Sequence, residues 1–174
     1  MIEVYDNLFS KEEINILDSY MNSLAFKNHE LDSEEIPEHV TLSSNLEENN
    51  QYVKLIISKI SNKIELSKYR LIRVYCNAFK SNDCPSAHID TNNSNDRTIL
   101  YYPMKSWNYN LGGETVFYNS EGDITHSIIP KPGRIIIFSS NILHSARPPY
   151  SNFFGLRLSV AFKYEYSPNT LIEF

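Results

Sequence analysis

Tyr69-Arg70-Leu71-Ile72-Arg73-Val74-Tyr75-Cys76-Asn77-Ala78-Phe79 is the stretch at which the chain changes from helical to strand patterning. Strong β formers recur there at every second position, the spacing that puts one set of side chains on each face of a pleated strand. The pattern returns over Arg97–Tyr102, Thr115–Tyr118, Ile124–Ile129, Arg134–Phe138 and Leu156–Tyr164. The intervals hold turn chemistry: Asn92-Asn93-Ser94-Asn95, Gly112-Gly113, Asn119-Ser120-Glu121-Gly122-Asp123 and Pro130-Lys131-Pro132-Gly133. Upstream, after Val4-Tyr5, Ser10-Lys11-Glu12-Glu13 is a capping box opening an amphipathic helix with Ile14, Leu17, Met21 and Leu24 on one stripe. Ser44 to Glu47 repeats the signal ahead of a second helix carrying Leu46, Val53, Ile56, Ile57 and Ile60. Residues 27–43 between them are acidic and irregular, with Pro37 in their midst, and predict a loop or lid. Helices first and many short strands afterwards predict a mainly β fold with flanking α-helices, a sandwich or jelly roll with the helices on one outer face. We expect one domain over 1–174, with a helical support over 1–66 and a β core over 67–166.

The 174 residues, 41% hydrophobic and 21% charged, suffice for one core. Sixteen Lys and Arg against 21 Asp and Glu leave a net charge of −5. That balance offers no general basic field for nucleic acid or an anionic membrane. No apolar run approaches the roughly 20 residues of a membrane span, and Met1-Ile2-Glu3-Val4-Tyr5 lacks the basic and apolar regions of a signal peptide. The expected location is cytoplasmic, with Cys76 and Cys84 as reduced thiols, too few for a disulfide framework and without zinc-ligand spacing.

His88-Ile89-Asp90 sets an imidazole and a carboxylate at i and i+2, on one side of an extended segment, so one short stretch can supply two cis ligands to a metal. Alone, the pair carries little. His144 raises it: it lies a short loop beyond the apolar strand Arg134–Phe138, where a jelly roll can fold it back toward the barrel mouth. Two neutral imidazoles and one carboxylate on one face of a metal leave three positions open, the arrangement of non-heme Fe(II) oxygenases. In Leu156-Arg157-Leu158-Ser159-Val160-Ala161-Phe162, Arg157 and Ser159 share one face of an apolar strand. A cation there is costly unless paired. Its partner is either the carboxylate of a chelating ligand or a structural acid such as Glu114. Thr98, Leu100 and Tyr102 share a face of another strand, where the Tyr102 hydroxyl can donate to the same carboxylate and Leu100 can pack on its methylenes; Tyr75 and Asn77 form a similar inward pair.

The ordered series Arg73-Val74-Tyr75, His88-x-Asp90, Thr98-Ile99-Leu100-Tyr101-Tyr102, Trp107, Gly112-Gly113-Glu114-Thr115-x-Phe117, Pro130-x-Pro132-Gly133-Arg134, His144 and Gly155-x-Arg157-x-Ser159 resembles a 2-oxoglutarate/Fe(II)-dependent oxygenase of the prolyl-4-hydroxylase-like branch. The resemblance spans about residues 70–164 and implies a double-stranded β-helix, a cupin-like jelly roll. It implies His88, Asp90 and His144 as iron ligands, and Arg157 as the partner of the 2-oxoglutarate C5 carboxylate, assisted by Tyr102 and Ser159, with Leu100 and Tyr75 near the cosubstrate. Arg157 stands 13 residues after His144, further than is usual in that branch, which leaves Arg147 as an alternative basic partner. The implied cofactors are Fe(II), 2-oxoglutarate and dioxygen, with ascorbate as a reductant. The implied reaction is hydroxylation of an unactivated C–H bond, in a prolyl or other peptidyl residue, with release of succinate and CO2. The alternatives are hydroxylation of a free amino acid or small metabolite, or a non-catalytic metal-binding module. Retention of a carboxylate at Asp90 favours hydroxylation, since halogenating relatives carry a small residue there. Nucleic acid is a disfavoured partner.

Two segments are expected to set the substrate, the Asn-rich loop 91–96 and the loop 103–111 with Trp107 and Tyr109, although Trp107 can equally plug the barrel rim. His29, His39 and His126 lack ligand spacing and are expected as ordinary polar residues, and Glu114 as a strand-end carboxylate without a catalytic role.

Overall fold

The computed structural model describes residues 1–31, 40–81, 83 and 85–168. Ten strands and two α-helices are present among them: β1 (Ile2–Tyr5), α1 (Lys11–Asn22), β2 (Lys27–Leu31), β3 (Val40–Asn45), α2 (Gln51–Ile60), β4 (Tyr69–Phe79), β5 (Arg97–Tyr101), β6 (Thr115–Tyr118), β7 (Ile124–Ile128), β8 (Ile135–Ser139), β9 (His144–Ala146) and β10 (Arg157–Tyr166). The strands form a seven-stranded sheet of order β1-β8-β5-β10-β4-β3-β2 and a three-stranded sheet of order β7-β6-β9, with antiparallel pairing throughout. This is the mainly β architecture with flanking helices, the two sheets facing each other as in a jelly roll. No described helix is long and apolar enough to cross a membrane.

Register decides which residues face which side. Val160 pairs with Tyr101 and Cys76, while Ala161 pairs with Leu100 and Tyr75. Tyr101 meets Phe9, with ring centroids 4.9 Å apart, so the Val160 face is turned to the helical layer. There Leu17, Met21, Val53, Ile56 and Ile60 are fully buried with Val160 and Phe162 in one apolar cluster. The opposite face carries Arg157, Ser159, Ala161 and Lys163 of β10 beside Phe79, Asn77, Tyr75 and Arg73 of β4. The alternation that keeps one face apolar therefore gathers the polar residues of two long strands on the other.

The capping box closes in both directions, Glu13 N–H to Ser10 Oγ at 3.2 Å and Ser10 N–H to Glu13 at 2.7 Å. The second helix starts later than the sequence suggests: Asn50 caps it, accepting from Tyr52 N–H at 2.9 Å, and its amide donates to the Tyr20 hydroxyl at 2.8 Å, tying α2 to α1. Ser44 belongs instead to β3. Segment 27–43, expected as a loop or lid, contributes β2 and most of β3, and the expected helical support over 1–66 holds three strands of the large sheet. Thr41 and Ser43 are nearly fully buried because β3 hydrogen-bonds to β4, with Leu42 opposite Ala78 and Asn45 opposite Tyr75. Such pairing depends on a distant strand and leaves no apolar alternation to read locally. Pro37, His39 and Cys84 lie outside the described residues, as does the side chain of His29; Cys76 is a buried free thiol whose pKa burial pushes up.

Candidate metal centre and anion pocket

His88 reaches the mouth between the sheets on an extended segment that pairs with β9: His88 N–H donates to His144 O at 2.9 Å, and His144 N–H to His88 O at 3.0 Å. Asp90 N–H is held by Ser140 O at 2.8 Å. These backbone bonds set the three side chains in one cluster whose ligand atoms lie within 4.8 Å of one another. His144 lies on β9 opposite Phe117, and Phe138 meets its ring with centroids 4.7 Å apart.

The imidazoles are already in the tautomer a metal needs. His144 Nδ1 lies 2.8 Å from Ile142 O and His88 Nδ1 lies 3.1 Å from Ser86 O. A carbonyl only accepts, so each Nδ1 carries the hydrogen and each Nε2 keeps its lone pair free. Nε2 of His88 and of His144 stand 3.6 and 3.7 Å from the Asp90 oxygens. Burial holds the His144 pKa down to about 4, so this ligand stays neutral at physiological pH. Burial opposes the charge on Asp90, yet the imidazole of His88 beside it and the Lys163 ammonium hold its carboxyl well below the usual range. Lys163 Nζ lies 2.5 Å from Asp90 Oδ2, and the Thr98 hydroxyl donates to the same oxygen. Burial opposes a charge on His88, while Asp90 and the Ser86 carbonyl raise its pKa in the metal-free site; two imidazole nitrogens and an anionic oxygen fit a divalent transition metal.

A stability consequence follows for the metal-free protein. An imidazole at about 4 in the fold and near 6.5 when unfolded takes up protons on unfolding between those values. Stability is thus unaffected by this group above pH 6.5 and falls as pH drops toward 4, by up to about 3 kcal/mol. The difference in thermal midpoint between the wild type and His144→Phe, which keeps a ring but not the titration, should show that slope across pH 4–7.

Behind the triad lies a narrow cavity of about 70 Å³ with Arg157 and Ser159 on its wall and both imidazoles at its edge. Leu100, Tyr75 and Asn77 line it too. Arg157 is 1% exposed, and burial pushes its pKa down. Its Nε donates to Gly113 O at 2.8 Å, Nη1 to Ser159 Oγ at 3.1 Å, and Nη2 to Thr115 Oγ1 at 2.9 Å and more distantly to Tyr102 Oη at 3.4 Å. The guanidinium also lies over the Phe79 and Tyr102 rings, at 5.1 and 5.3 Å from their centroids. Among the described residues every one of its hydrogen-bond partners is neutral. The structural ion pair with Glu114 does not form; Glu114 reaches Arg157 only through its electrostatic field. A wholly buried cation with no carboxylate hydrogen-bonded to it is a candidate anion site.

Tyr102 stands behind Arg157 rather than on the cavity wall, with its hydroxyl 2.6 Å from Thr115 Oγ1. Arg147 does not line the cavity, although its neighbour Ala146 does, and donates to Tyr118 Oη at 3.0 Å. Lys163, Thr115 and Ser140 were not foreseen in the sequence. Lys163 was within reach of the same reasoning, because it continues the alternation Arg157, Ser159, Ala161. Thr115 and Ser140 carry no local signal.

Trp107 is a brace. Its Nε1 donates to Gly112 O at 3.0 Å, its ring meets Phe153 edge-on with centroids 5.3 Å apart, and a Cβ at Gly113 would come within 2.9 Å of it. Gly113, at φ +81°, is the residue whose carbonyl holds Arg157. Trp107→Ala should therefore destabilise the protein by about 2–3 kcal/mol and lower coupled and substrate-free turnover of cosubstrate equally. A selective loss of coupled turnover would place Trp107 on the substrate instead. Loop 91–96 is likewise internally bonded, with Asp96 accepting from Thr91, Asn93 and Tyr166 N–H.

Sequence comparison with curated proteins finds no significant match. Among solved structures, a Pseudomonas putida prolyl-4-hydroxylase superposes with a TM-score of 0.73 at 12% identity, covering 94% of this chain and 92% of that one. The viral collagen prolyl hydroxylase of Paramecium bursaria Chlorella virus-1, in its 2OG complex, gives 0.62 at 19% identity, covering 94% of each chain. The α-ketoglutarate-dependent epimerase SnoN of nogalamycin biosynthesis gives 0.66 at 11%, covering 98% of this chain and 82% of that one. At these identities the likeness establishes the fold. The family model of the 2OG-Fe(II) oxygenase superfamily matches residues 73–164, more than half the chain and the segment that carries all three clustered ligands and Arg157. The chain thus belongs to the 2OG-Fe(II) oxygenase superfamily and is a dioxygenase that works with Fe(II) and 2-oxoglutarate.

Proposed function

We propose that His88, Asp90 and His144 hold the Fe(II), that Arg157 with Ser159 binds the C5 carboxylate of 2-oxoglutarate, and that the enzyme hydroxylates an unactivated C–H bond of a prolyl or other peptidyl residue. The observation that carries this reading is the buried Arg157 guanidinium with only neutral partners, opening on a cavity whose other edge is the His88 and His144 imidazoles. Fe(II) bound there with 2-oxoglutarate supplies the oxidising chemistry, one oxygen atom of O2 entering the substrate C–H bond and the other entering succinate as CO2 is lost.

The chain's own residues contribute placement. Arg157 and Ser159 fix the far end of the cosubstrate by charge-assisted hydrogen bonds, which sets its keto-acid end toward the ligand cluster. Tyr102 and Thr115 act on Arg157, accepting from its Nη2 and so holding the guanidinium in place, Thr115 from the cavity wall and Tyr102 from behind it. Leu100 and Tyr75 line the cavity alongside the cosubstrate methylenes and limit water in it. Thr98 and Lys163 occupy one oxygen of Asp90 and leave the other to the metal. The prolyl reading is supported by the two prolyl hydroxylases among the structures of like fold; a free amino acid or metabolite is the competing substrate.

Anaerobic titration of metal-free protein with Fe(II) and 2-oxoglutarate tests the assignment. A weak visible charge-transfer band that needs both components, and that Arg157→Ala shifts to much higher 2-oxoglutarate concentration, is expected. A folded, metal-binding protein that shows no band would remove the reading.

A further inference from the structure

The Arg157 cavity has a further wall, made by β4 and β3. These strands and β10 lie side by side, and Ser159, Asn77 and Ser43 stand directly opposite one another on a single rung. Residues opposite on antiparallel strands project to the same face. Ser159 and Asn77 line the cavity, so Ser43 is turned the same way, and Thr41, two residues before it on β3, lines the cavity too.

A carboxylate bound at Arg157 offers about four lone-pair sites. Arg157 does not fill them. Its Nε–H is spent on Gly113 O, and Nη1 and Nη2 each give one hydrogen away, to Ser159 and Thr115; a second Nη1–H remains, and a second Nη2–H that reaches Tyr102 only at 3.4 Å. Ser159 accepts from Nη1, so its own hydroxyl hydrogen is a third donor. A fourth is needed, and Asn77 carries an amide at the level of Ser159, one strand spacing or about 4.8 Å away. Among the described residues no hydrogen bond is made by the Asn77 side chain. Ser43 gives the second, independent sign. It is 1% exposed, and its Oγ has no hydrogen-bond partner among the described residues. A hydroxyl buried in that state is costly, and the cost is recovered where binding brings it a partner.

We propose that Asn77 is a further cosubstrate-binding residue, whose Nδ2 donates to the C5 carboxylate of 2-oxoglutarate beside Ser159 while the Ser43 hydroxyl donates to its Oδ1. The inference deepens the assignment of Arg157 to that carboxylate and rests on it. Ser43 is a positioning residue that acts through Asn77: with the amide oxygen drawn toward β3, the amide nitrogen faces the ligand, and the reversed amide would set its oxygen against the carboxylate. The rung Ser159, Asn77, Ser43 thus completes the donor set that Arg157 begins.

The test titrates Mn(II)-loaded protein by calorimetry with 2-oxoglutarate and, separately, with oxalate, which chelates the metal but has no far carboxylate. Asn77→Ala should weaken 2-oxoglutarate binding by at least about tenfold and leave oxalate binding unchanged. Asn77→Asp, which keeps the shape of the side chain, should weaken it further, because its carboxylate both repels the ligand and takes Arg157 for itself. Ser43→Ala should weaken 2-oxoglutarate by about fivefold while the thermal midpoint of the ligand-free protein stays or rises, since the variant removes a buried hydroxyl that the empty fold leaves unpaired. Undiminished 2-oxoglutarate affinity in Asn77→Ala and Asn77→Asp, or an equal loss for oxalate, overturns the inference; full affinity in Ser43→Ala, or a lowered midpoint, removes Ser43 from it. If Arg157→Met also binds 2-oxoglutarate as the wild type does, the failure lies with the assignment of Arg157 instead.

Discussion

Arg157→Met should weaken 2-oxoglutarate binding by at least about a hundredfold while leaving the thermal midpoint of the ligand-free protein unchanged or raised. The first half follows from charge-assisted hydrogen bonds, each worth about 1.5–3 kcal/mol, of which a bidentate guanidinium makes two. The second half separates a functional cation from a structural one. Arg157 is 1% exposed and its partners, Gly113 O, Ser159, Thr115 and Tyr102, are all neutral. Its charge therefore costs the empty fold desolvation that no carboxylate offsets, and an apolar side chain of similar length removes that cost. Calorimetry with 2-oxoglutarate and paired thermal melts check both halves, and the rise in midpoint that the cosubstrate gives the wild type should vanish in the variant. Undiminished binding would show that the Arg157 cavity is not the cosubstrate site. A large fall in the midpoint would show that the side chain holds the sheets together instead.

Asp90→Ala should abolish turnover and lower divalent-metal affinity by more than about a hundredfold, beyond the 10- to 100-fold typical of losing an outer-sphere partner. Asp90 is the single anion of the ligand set and the meeting point of its neighbours: Thr98 and Lys163 both bond to Oδ2, and both imidazoles lie within 4 Å of the carboxylate. Its removal leaves two neutral nitrogens and an ammonium, which repels a cation. The fold should survive, because the segment is anchored through its backbone, Asp90 N–H to Ser140 O and His88 to His144 in both directions. Mn(II) titration by calorimetry, alongside circular dichroism, measures the two effects. Wild-type metal affinity in the variant would mean that the metal is held elsewhere.

Much of the site is visible in the chain because its parts sit on regular strands. Period-two alternation places Arg157 and Ser159 on one face of β10 and Tyr75 and Asn77 on one face of β4, and the register confirms both groupings. The same alternation carries Lys163 to that face, although nothing about a lysine near a strand end announces a carboxylate partner 73 residues upstream. Glu114 illustrates the opposite difficulty. An acid close to an arginine in a motif suggests a pair, and only the packing of Trp107 on Gly113 decides that Arg157 bonds to a carbonyl there.

The amino-acid order alone determined the α1 capping box, the strands from Tyr69 onward and the residue types of a His, Asp, His and Arg set, because each is a pattern acting over a few residues. Tertiary structure decided what depends on partners far along the chain. Val40–Asn45 became a strand because β4 offers it backbone hydrogen bonds, and its buried threonine and serine give no local sign of this. Ser44, drawn into that strand, left the capping of α2 to Asn50. The bulge at Ile72, created by an extra residue on one strand of a long ladder, opened a groove beside the metal ligands. Local preferences choose the elements; backbone pairing and exclusion of water choose which elements meet, and the site exists only where they do.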